Sequence, residues 1–188
     1  MKVIQLHKKE INQSTIDLLK KQNRDAQQLI FTKYAPKMLG VCRQYIRDLQ
    51  HAEEIMLDGF LKVFTKIEKY QNKGSFEGWI RRIMVNESIS FLRKKKRLVF
   101  VEDDSFFETQ DTKHAHYSKE GISKLQSLID GLKTDLKVVF NLYVVEEYKH
   151  REIAKMLEIT ENASKLRYKK AKAILQEQYH SLNLKRYE

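Results

Sequence analysis

One cysteine, one proline and six glycines among 188 residues leave little punctuation for anything but helices. A lone cysteine, Cys42, excludes an intramolecular disulfide and a zinc site built from several thiolates. Its setting, MLGVCRQYI, is apolar and points to a buried thiol rather than a reactive one. Without frequent proline and glycine the chain cannot mark off the many short strands of a sandwich or barrel. No run of about 18 apolar residues occurs, so no membrane span is predicted, and no secretory-signal pattern opens the chain. A cytoplasmic location is expected.

Acidic residues are in the minority. Lys and Arg number 36 against 25 Asp and Glu, a formal net charge of +11. Such an excess suits a polyanionic partner, nucleic acid first. The 41% hydrophobic content supports either one domain with a sizeable core or two small ones.

Apolar residues recur at helical spacing through most of the chain, which predicts an all-α fold. Asn12 or Ser14 can cap a first helix reaching about Tyr34. Pro36 fits the first turn of a second helix, to about Asp48, where its missing N–H costs little. A third runs from about His51 to Tyr70 and a fourth from about Ser75 to Arg97, and these four form one domain. Then VEDDSFFETQD, Val101 to Asp111, carries five carboxylates and no basic residue directly after the cationic RKKKR of Arg93 to Arg97, the composition of a linker. A second helical set starts near Ser118. The division expected is therefore two small helical domains, 1–98 and 118–188, joined by an acidic linker at 99–117.

Near the end of the chain, EIAKMLEITENASKLRYKKAK (Glu152 to Lys172) has the form of a helix-turn-helix. Ala154 provides the small residue such packing needs, Ile159 plugs the corner, and Thr160 can cap the helix that begins at Glu161. At about 100° per residue Ser164, Tyr168, Ala171 and Leu175 share one side, and Asn162, Lys165, Lys169 and Lys172 another. One face packs and the other is cationic, as a groove-inserted helix requires. A merely solvated lysine face would show the same period. Glu158 stands at the corner, where a left-handed backbone would cost it about 1 kcal/mol. Ser164, on the packing side, needs a partner for its hydroxyl, for which a backbone carbonyl one turn back is available.

The stretch GSFEGWIRRIMVNESISFLRKKKR, Gly74 to Arg97, sets aromatics and cations on one helix. Arg82, Asn86 and Arg93 lie on one side beside Trp79 and Ile83, joining phosphate clamps to a stacking surface. That combination fits single-stranded or melting DNA. Phe76 and Trp79 would serve equally as plain core residues.

Three stretches, HAEEIMLDGFLKVFTKI (His51 to Ile67), GSFEGWIRRIMVNESISFLRKKK (Gly74 to Lys96) and EYKHREIAKMLEITENASKLRYKKAKAIL (Glu147 to Leu175), together resemble bacterial sigma-70 family factors of the extracytoplasmic-function (ECF) group, in the family's order and spacing. The gap from Leu98 to Tyr117 is too short for the middle domain of larger sigma factors. The resemblance implies two helical domains that bind core RNA polymerase and direct it to promoters, region 2 melting the −10 element and region 4 reading the −35 element as duplex. It implies that the helix of Ala52, Glu53, Glu54, Asp58, Phe60 and Leu61 docks on the β′ clamp helices, while the β flap meets region 4. Residues from Lys69 to Phe76, with Tyr70 and Phe76 as the aromatics, match the loop that captures a flipped −10 base. Trp79, Arg82, Asn86, Arg93, Lys94, Lys95, Lys96 and Arg97 match the helix that holds the melted strand. Arg151, Asn162, Lys165, Arg167 and Lys169 fall on or near the −35 DNA face. An anti-sigma factor is a further partner the family implies, and no cofactor, metal or small-molecule substrate is expected. Departures are Lys133, where proline is common, Glu158 for glycine, Ser164 for an apolar residue and Tyr168 for leucine.

Two other functions compete. Glu53, Glu54 and Asp58 are hard oxygen ligands that could hold Mg²⁺ in a nuclease, although no convergent base or metal-binding histidine accompanies them. A stand-alone helix-turn-helix regulator would instead use the N-terminal domain to dimerise on a two-fold symmetric site.

Overall fold

The computed structural model describes residues 11–99 and 120–184. The acidic linker, with Glu102, Asp103, Asp104, Glu108 and Asp111, lies outside the described residues. Those described are helical, without a strand, and fall into two compact units. One holds the chain to Arg43 together with Asp48–Glu87, and the other holds Gln44–Arg47 with the chain from Ser88 onward. None of the described helices is long and apolar enough to cross a membrane.

The first unit starts with α1 (Gln13–Lys20) and α2 (Arg24–Arg43). Asn12 caps α1, its Oδ1 accepting from the Thr15 N–H at 3.0 Å. The break between the two helices differs from the sequence expectation: it falls at Lys21–Asn23, and Pro36 lies inside α2. Gln22 takes the left-handed conformation (φ 57°). Its N–H bonds the Leu19 carbonyl, and the N–H of Asn23 bonds that of Leu18, a Schellman closure made without glycine. The Asn23 side chain then caps α2 through the Ala26 N–H at 2.9 Å. Pro36 removes one intrahelical bond, but Pro36 and Thr32, four residues back, are both exposed, so the freed carbonyl faces water. Ile30, Tyr34, Met38, Val41 and Cys42 form a buried stripe on both sides of the proline and hold the helix through it.

Two longer helices complete this unit, α3 (Leu49–Thr65), followed by a 3₁₀ turn at Ile67–Lys69, and α4 (Phe76–Val99), which continues past the division between the units. Asp48 caps α3 and Ser75 caps α4. The core gathers Leu19, Ile30, Met38, Phe60, Val63, Ile67, Ile80, Met84 and Val85. Phe31 meets Phe60 edge-on at 4.9 Å. Helix α3 lies close against α4 at Gly59: a Cβ there would lie 2.3 Å from the Met84 sulfur, in a side chain that is itself wholly buried. Ion pairs Lys62–Glu87 and Lys37–Glu77 tie α4 to α3 and α2 at the surface.

In the second unit α5 (Glu120–Asp130) and α6 (Thr134–Phe140) are followed by a π-helical segment at Asn141–Val145, then α7 (His150–Leu157) and α8 (Glu161–Leu184). Ile129, Leu132, Leu136, Ala171 and Leu175 pack together, with Leu128, Phe140 and Ile174 against them. Lys137, almost fully buried, pairs with Asp130 at 2.6 Å. The helix-turn-helix has the expected local chemistry. Glu158 is left-handed (φ 55°, ψ 45°), and Thr160 caps α8 through the Ala163 N–H at 3.1 Å. Glu147, exposed between the π segment and α7, is left-handed as well (φ 59°).

Three substitutions test these backbones. Gly59→Ala should lower the stability of the first unit by about 1–3 kcal/mol, since Met84 has no free volume into which to retreat. Gly40→Ala, in open space on α2, should raise it by about 0.5–1 kcal/mol. Urea unfolding followed by fluorescence of the single tryptophan, Trp79, reads both. Glu147→Gly should stabilise the second unit by about 1 kcal/mol by relieving a left-handed side chain, measured as slower amide exchange in α7 and α8.

Candidate nucleic-acid interface

Three surfaces carry the residues that the sequence singles out. On α3 the outward face presents Glu53, Glu54, Leu57, Asp58 and Leu61, while Ala52 and Phe60 point into the core. Leu57 is 53% exposed and Leu61 61% exposed, at i and i+4 among three carboxylates. At that spacing the two side chains adjoin and form a small apolar patch on the outward face. The sequence reading passed over Leu57, although its spacing to Leu61 was the signal. Among the described residues no group of three or more His, Cys, Asp or Glu side chains is arranged to hold a metal ion, so Glu53, Glu54 and Asp58 do not form such a set.

The second surface lies on α4 and the loop before it. Tyr70 and Phe76 are buried, packed edge to face at 5.1 Å, and the Tyr70 hydroxyl donates to the Gly74 carbonyl at 3.0 Å. Both support the loop from beneath. Trp79 lies over them, 5.4 Å from Tyr70 and 5.8 Å from Phe76 in a near-parallel stack, and is only half-buried. Of the three rings, its indole is the one left open to solvent. Asn72 and Gly74 supply the left-handed turns of this loop, and Asn72 also bonds the Gln13 side chain at 3.1 Å, fixing the loop to α1. The Tyr34 hydroxyl next to the cluster has its pKa raised, by burial first and then by the charge of Glu77. Arg82 and Asn86 are exposed one turn apart and within two turns of Trp79. Farther along the same helix come half-buried Arg93 and the exposed Lys94 and Lys95. Lys96 and Arg97 continue α4, their side chains lying outside the described set.

The third surface is the outer face of α8. Asn162, Lys165, Lys169 and Lys172 are all exposed, as is Arg151 on α7. Lys165 pairs with Glu161 one turn back at 2.7 Å, and this bond, with the lysine's charge, pulls the Glu161 carboxyl below its usual pKa. Arg167 does not share the face. It lies about 200° round the helix from Lys165, half-buried, with its Nε 3.3 Å from Asp135 of α6. It braces α8 instead of presenting a free cation.

Beneath this face, Ser164 is fully buried, and its partner is not the backbone carbonyl anticipated. The Nδ1 of His150 lies 2.9 Å from Ser164 Oγ. His150 opens α7 and stacks flat on Tyr143 of the π segment, with ring centres 4.4 Å apart and planes 11° apart. Tyr143 in turn meets Tyr168, one turn beyond Ser164, at 4.5 Å. Burial first, then the nearby Lys165, lowers the His150 pKa, with Glu161 opposing, so the ring is neutral at physiological pH. No periodicity argument could have paired residues fourteen apart through a ring nitrogen.

Comparison with known proteins matches the sigma-70 region 2 family over residues 30–98 and the sigma-70 region 4 family over residues 122–175. Among curated relatives, the RNA polymerase sigma-H factor of Pseudomonas aeruginosa is 23% identical over 161 residues, which cover 79% of this chain and 83% of that protein. The ECF RNA polymerase sigma factor SigW of Bacillus subtilis is 24% identical over 179 residues, 89% of this chain and 96% of the relative. Among solved structures, the sigma factor RpoE of Bartonella quintana, determined in complex with the anti-sigma factor NepR, shares the fold at a TM-score of 0.53 and 20% identity, over 80% of this chain and 94% of that one. With both regions matched in order and together spanning more than half of its length, the chain belongs to the sigma-70 family of RNA polymerase sigma factors, in the ECF group.

Proposed function

We propose that this chain binds core RNA polymerase and directs promoter-specific initiation, its region 2 (residues 1–98) melting the −10 element and its region 4 (118–188) reading the −35 element, with 99–117 as the linker. The observation that carries the reading is the pairing on one chain of a stacking-plus-cation helix, α4, with a helix-turn-helix. Each of the two is matched by its own family.

In region 2 the Leu57–Leu61 pair within the acidic face of α3 meets the β′ clamp helices. Apolar area gives the affinity there, and Glu53, Glu54 and Asp58 steer approach and fix register against basic side chains. Trp79 receives a base from the opening −10 element, held up by buried Tyr70 and Phe76. Arg82, Asn86 and the cations from Arg93 to Arg97 hold the backbone of that strand. Stacking on an aromatic ring is worth about 1–3 kcal/mol per base, the size of the unstacking cost it must offset. In region 4 Asn162 and Lys165 reach base edges in the major groove, and Arg151 and Lys169 meet phosphates. Arg167 contributes by holding α8 to α6. The β flap meets region 4, and an anti-sigma factor is a further partner, one being present in the structure of the Bartonella quintana relative. None of these roles requires a catalytic group, a cofactor or a metal, and the protein acts in the cytoplasm, where the polymerase is.

Run-off transcription over a promoter library, with core polymerase in the presence and absence of the chain, tests this reading. Promoter-specific transcripts should appear only with both components. A chain that neither binds core nor gives any specific transcript ends the proposal. Tight binding to a two-fold symmetric duplex without polymerase would favour a stand-alone regulator.

Three substitutions should separate the surfaces. Leu61→Asp should weaken core binding. Trp79→Ala should leave core binding intact and reduce open-complex formation by about tenfold, a loss of about 1.4 kcal/mol within the range for one stacked base. Lys165→Ala should relax −35 preference at one position, by about 1–3 kcal/mol. Equal loss of core binding in all three would contradict the division.

A further inference from the structure

The pairing of Ser164 with His150 has a bearing on promoter reading. A groove-inserted helix can fail in two ways, by leaving the groove or by turning about its own axis, and apolar packing resists the second poorly. On a helix about 5–6 Å in outer radius, a turn of 10° carries a side-chain base about 1 Å round the axis. That displacement exceeds what a hydrogen bond to a base edge tolerates. Ser164 lies one turn into α8, on the side facing α7, between the outward Asn162 and Lys165. Its hydroxyl meets His150 Nδ1 at 2.9 Å, and Tyr168 one turn later meets Tyr143 at 4.5 Å. Since His150 and Tyr143 are stacked on each other, two successive turns of α8 are referred to the same pair of rings. A hydrogen bond is directional where an apolar contact is not, and Ser164 is fully buried, so breaking this one strands the serine hydroxyl out of water.

We propose that His150 is a positioning residue for −35 recognition: its ring, stacked on Tyr143 and bonded to Ser164, fixes the rotation of α8 and hence the register in which Asn162 and Lys165 meet the bases. The inference rests on the reading of α8 as the −35 element's partner. His150 itself touches no DNA in this scheme. Its effect passes through Ser164 and should therefore appear as altered sequence preference more than as lost affinity for DNA in general.

The test uses the full chain with core polymerase on two templates, a duplex library randomised at −35 with a fixed, pre-melted −10, and the same pre-melted −10 without −35 duplex. His150→Leu and Ser164→Val should each lower the preference for the best −35 sequence by about tenfold, the effect of leaving one buried partner unpaired. The double variant should lose no more than either single one, because both remove the same bond. His150→Asn, whose amide reaches the place of Nδ1, should recover most of the preference. All four should match the parent on the template that lacks −35 duplex, which shows that folding and core binding persist. Additive losses, no recovery with asparagine, or an equal loss on both templates would overturn the inference. A parent chain indifferent to the −35 sequence would remove the reading of α8 itself, and the inference with it.

Discussion

The first unit depends on the absence of a side chain at one point. Gly59 lets the backbone of α3 lie against the buried Met84 of α4, and no larger residue fits unless Met84 moves. The functional faces of both helices are set by that contact. Helix α3 turns Leu57, Asp58 and Leu61 outward because Gly59 and Phe60 turn inward, and α4 turns Arg82 and Asn86 outward because Met84 and Val85 turn inward. Fixing the α3–α4 distance therefore fixes how the acidic face of α3 lies relative to the cationic face of α4. The surface pairs Lys62–Glu87 and Lys37–Glu77 add orientation at ends where exposed ion pairs contribute little stability of their own.

The second unit is organised by its corners. Glu147 and Glu158 both adopt left-handed backbones that glycine would take without strain, and each gives up about 1 kcal/mol to do so. Between these two corners α7 is short, eight residues, and could not hold its place by its own helical propensity. Ile153, buried completely, and the His150 contacts anchor it along one face, three residues apart. A polar bond thus replaces part of the apolar packing where Ser164 departs from the usual apolar residue, and the aromatic group of Tyr143, His150 and Tyr168 fills the remaining volume.

Much of this was legible in the sequence. The helical period marks α3, α4 and α8, the Thr160 cap and the left-handed Glu158 follow from local chemistry, and the off-face position of Arg167 follows from 100° per residue. The failures have physical causes. Pro36 signalled a boundary, but a break needs an alternative set of backbone bonds, and the Schellman closure around Gln22 provided it elsewhere without the glycine that would have announced it. Residue type alone could not tell buried Tyr70 and Phe76 from half-open Trp79, since all three sit at helix-entry spacing and only tertiary packing sorts them. The His150–Ser164 bond joins two helices through side chains whose separation no periodicity encodes.

The distribution of charge explains why recognition must rest on so few groups. A net charge of +11 attracts any nucleic acid, and the phosphate contacts it supports carry no sequence information and weaken steeply with salt. On the proposed function, discrimination is left to side chains that are uncharged or held by a partner: the Trp79 ring, Asn86, Asn162 and, through its bond to Glu161, Lys165. For these, placement matters more than affinity: Trp79 stands on buried Tyr70 and Phe76, and Asn162 and Lys165 share the first turns of α8 with buried Ser164. The carboxylates of α3 have the complementary effect. On a chain that is cationic elsewhere, Glu53, Glu54 and Asp58 give the face carrying the exposed Leu57 and Leu61 a local negative charge, which disfavours nucleic acid there. In the proposed function, that separation of charge keeps the polymerase on α3 and the DNA on α4.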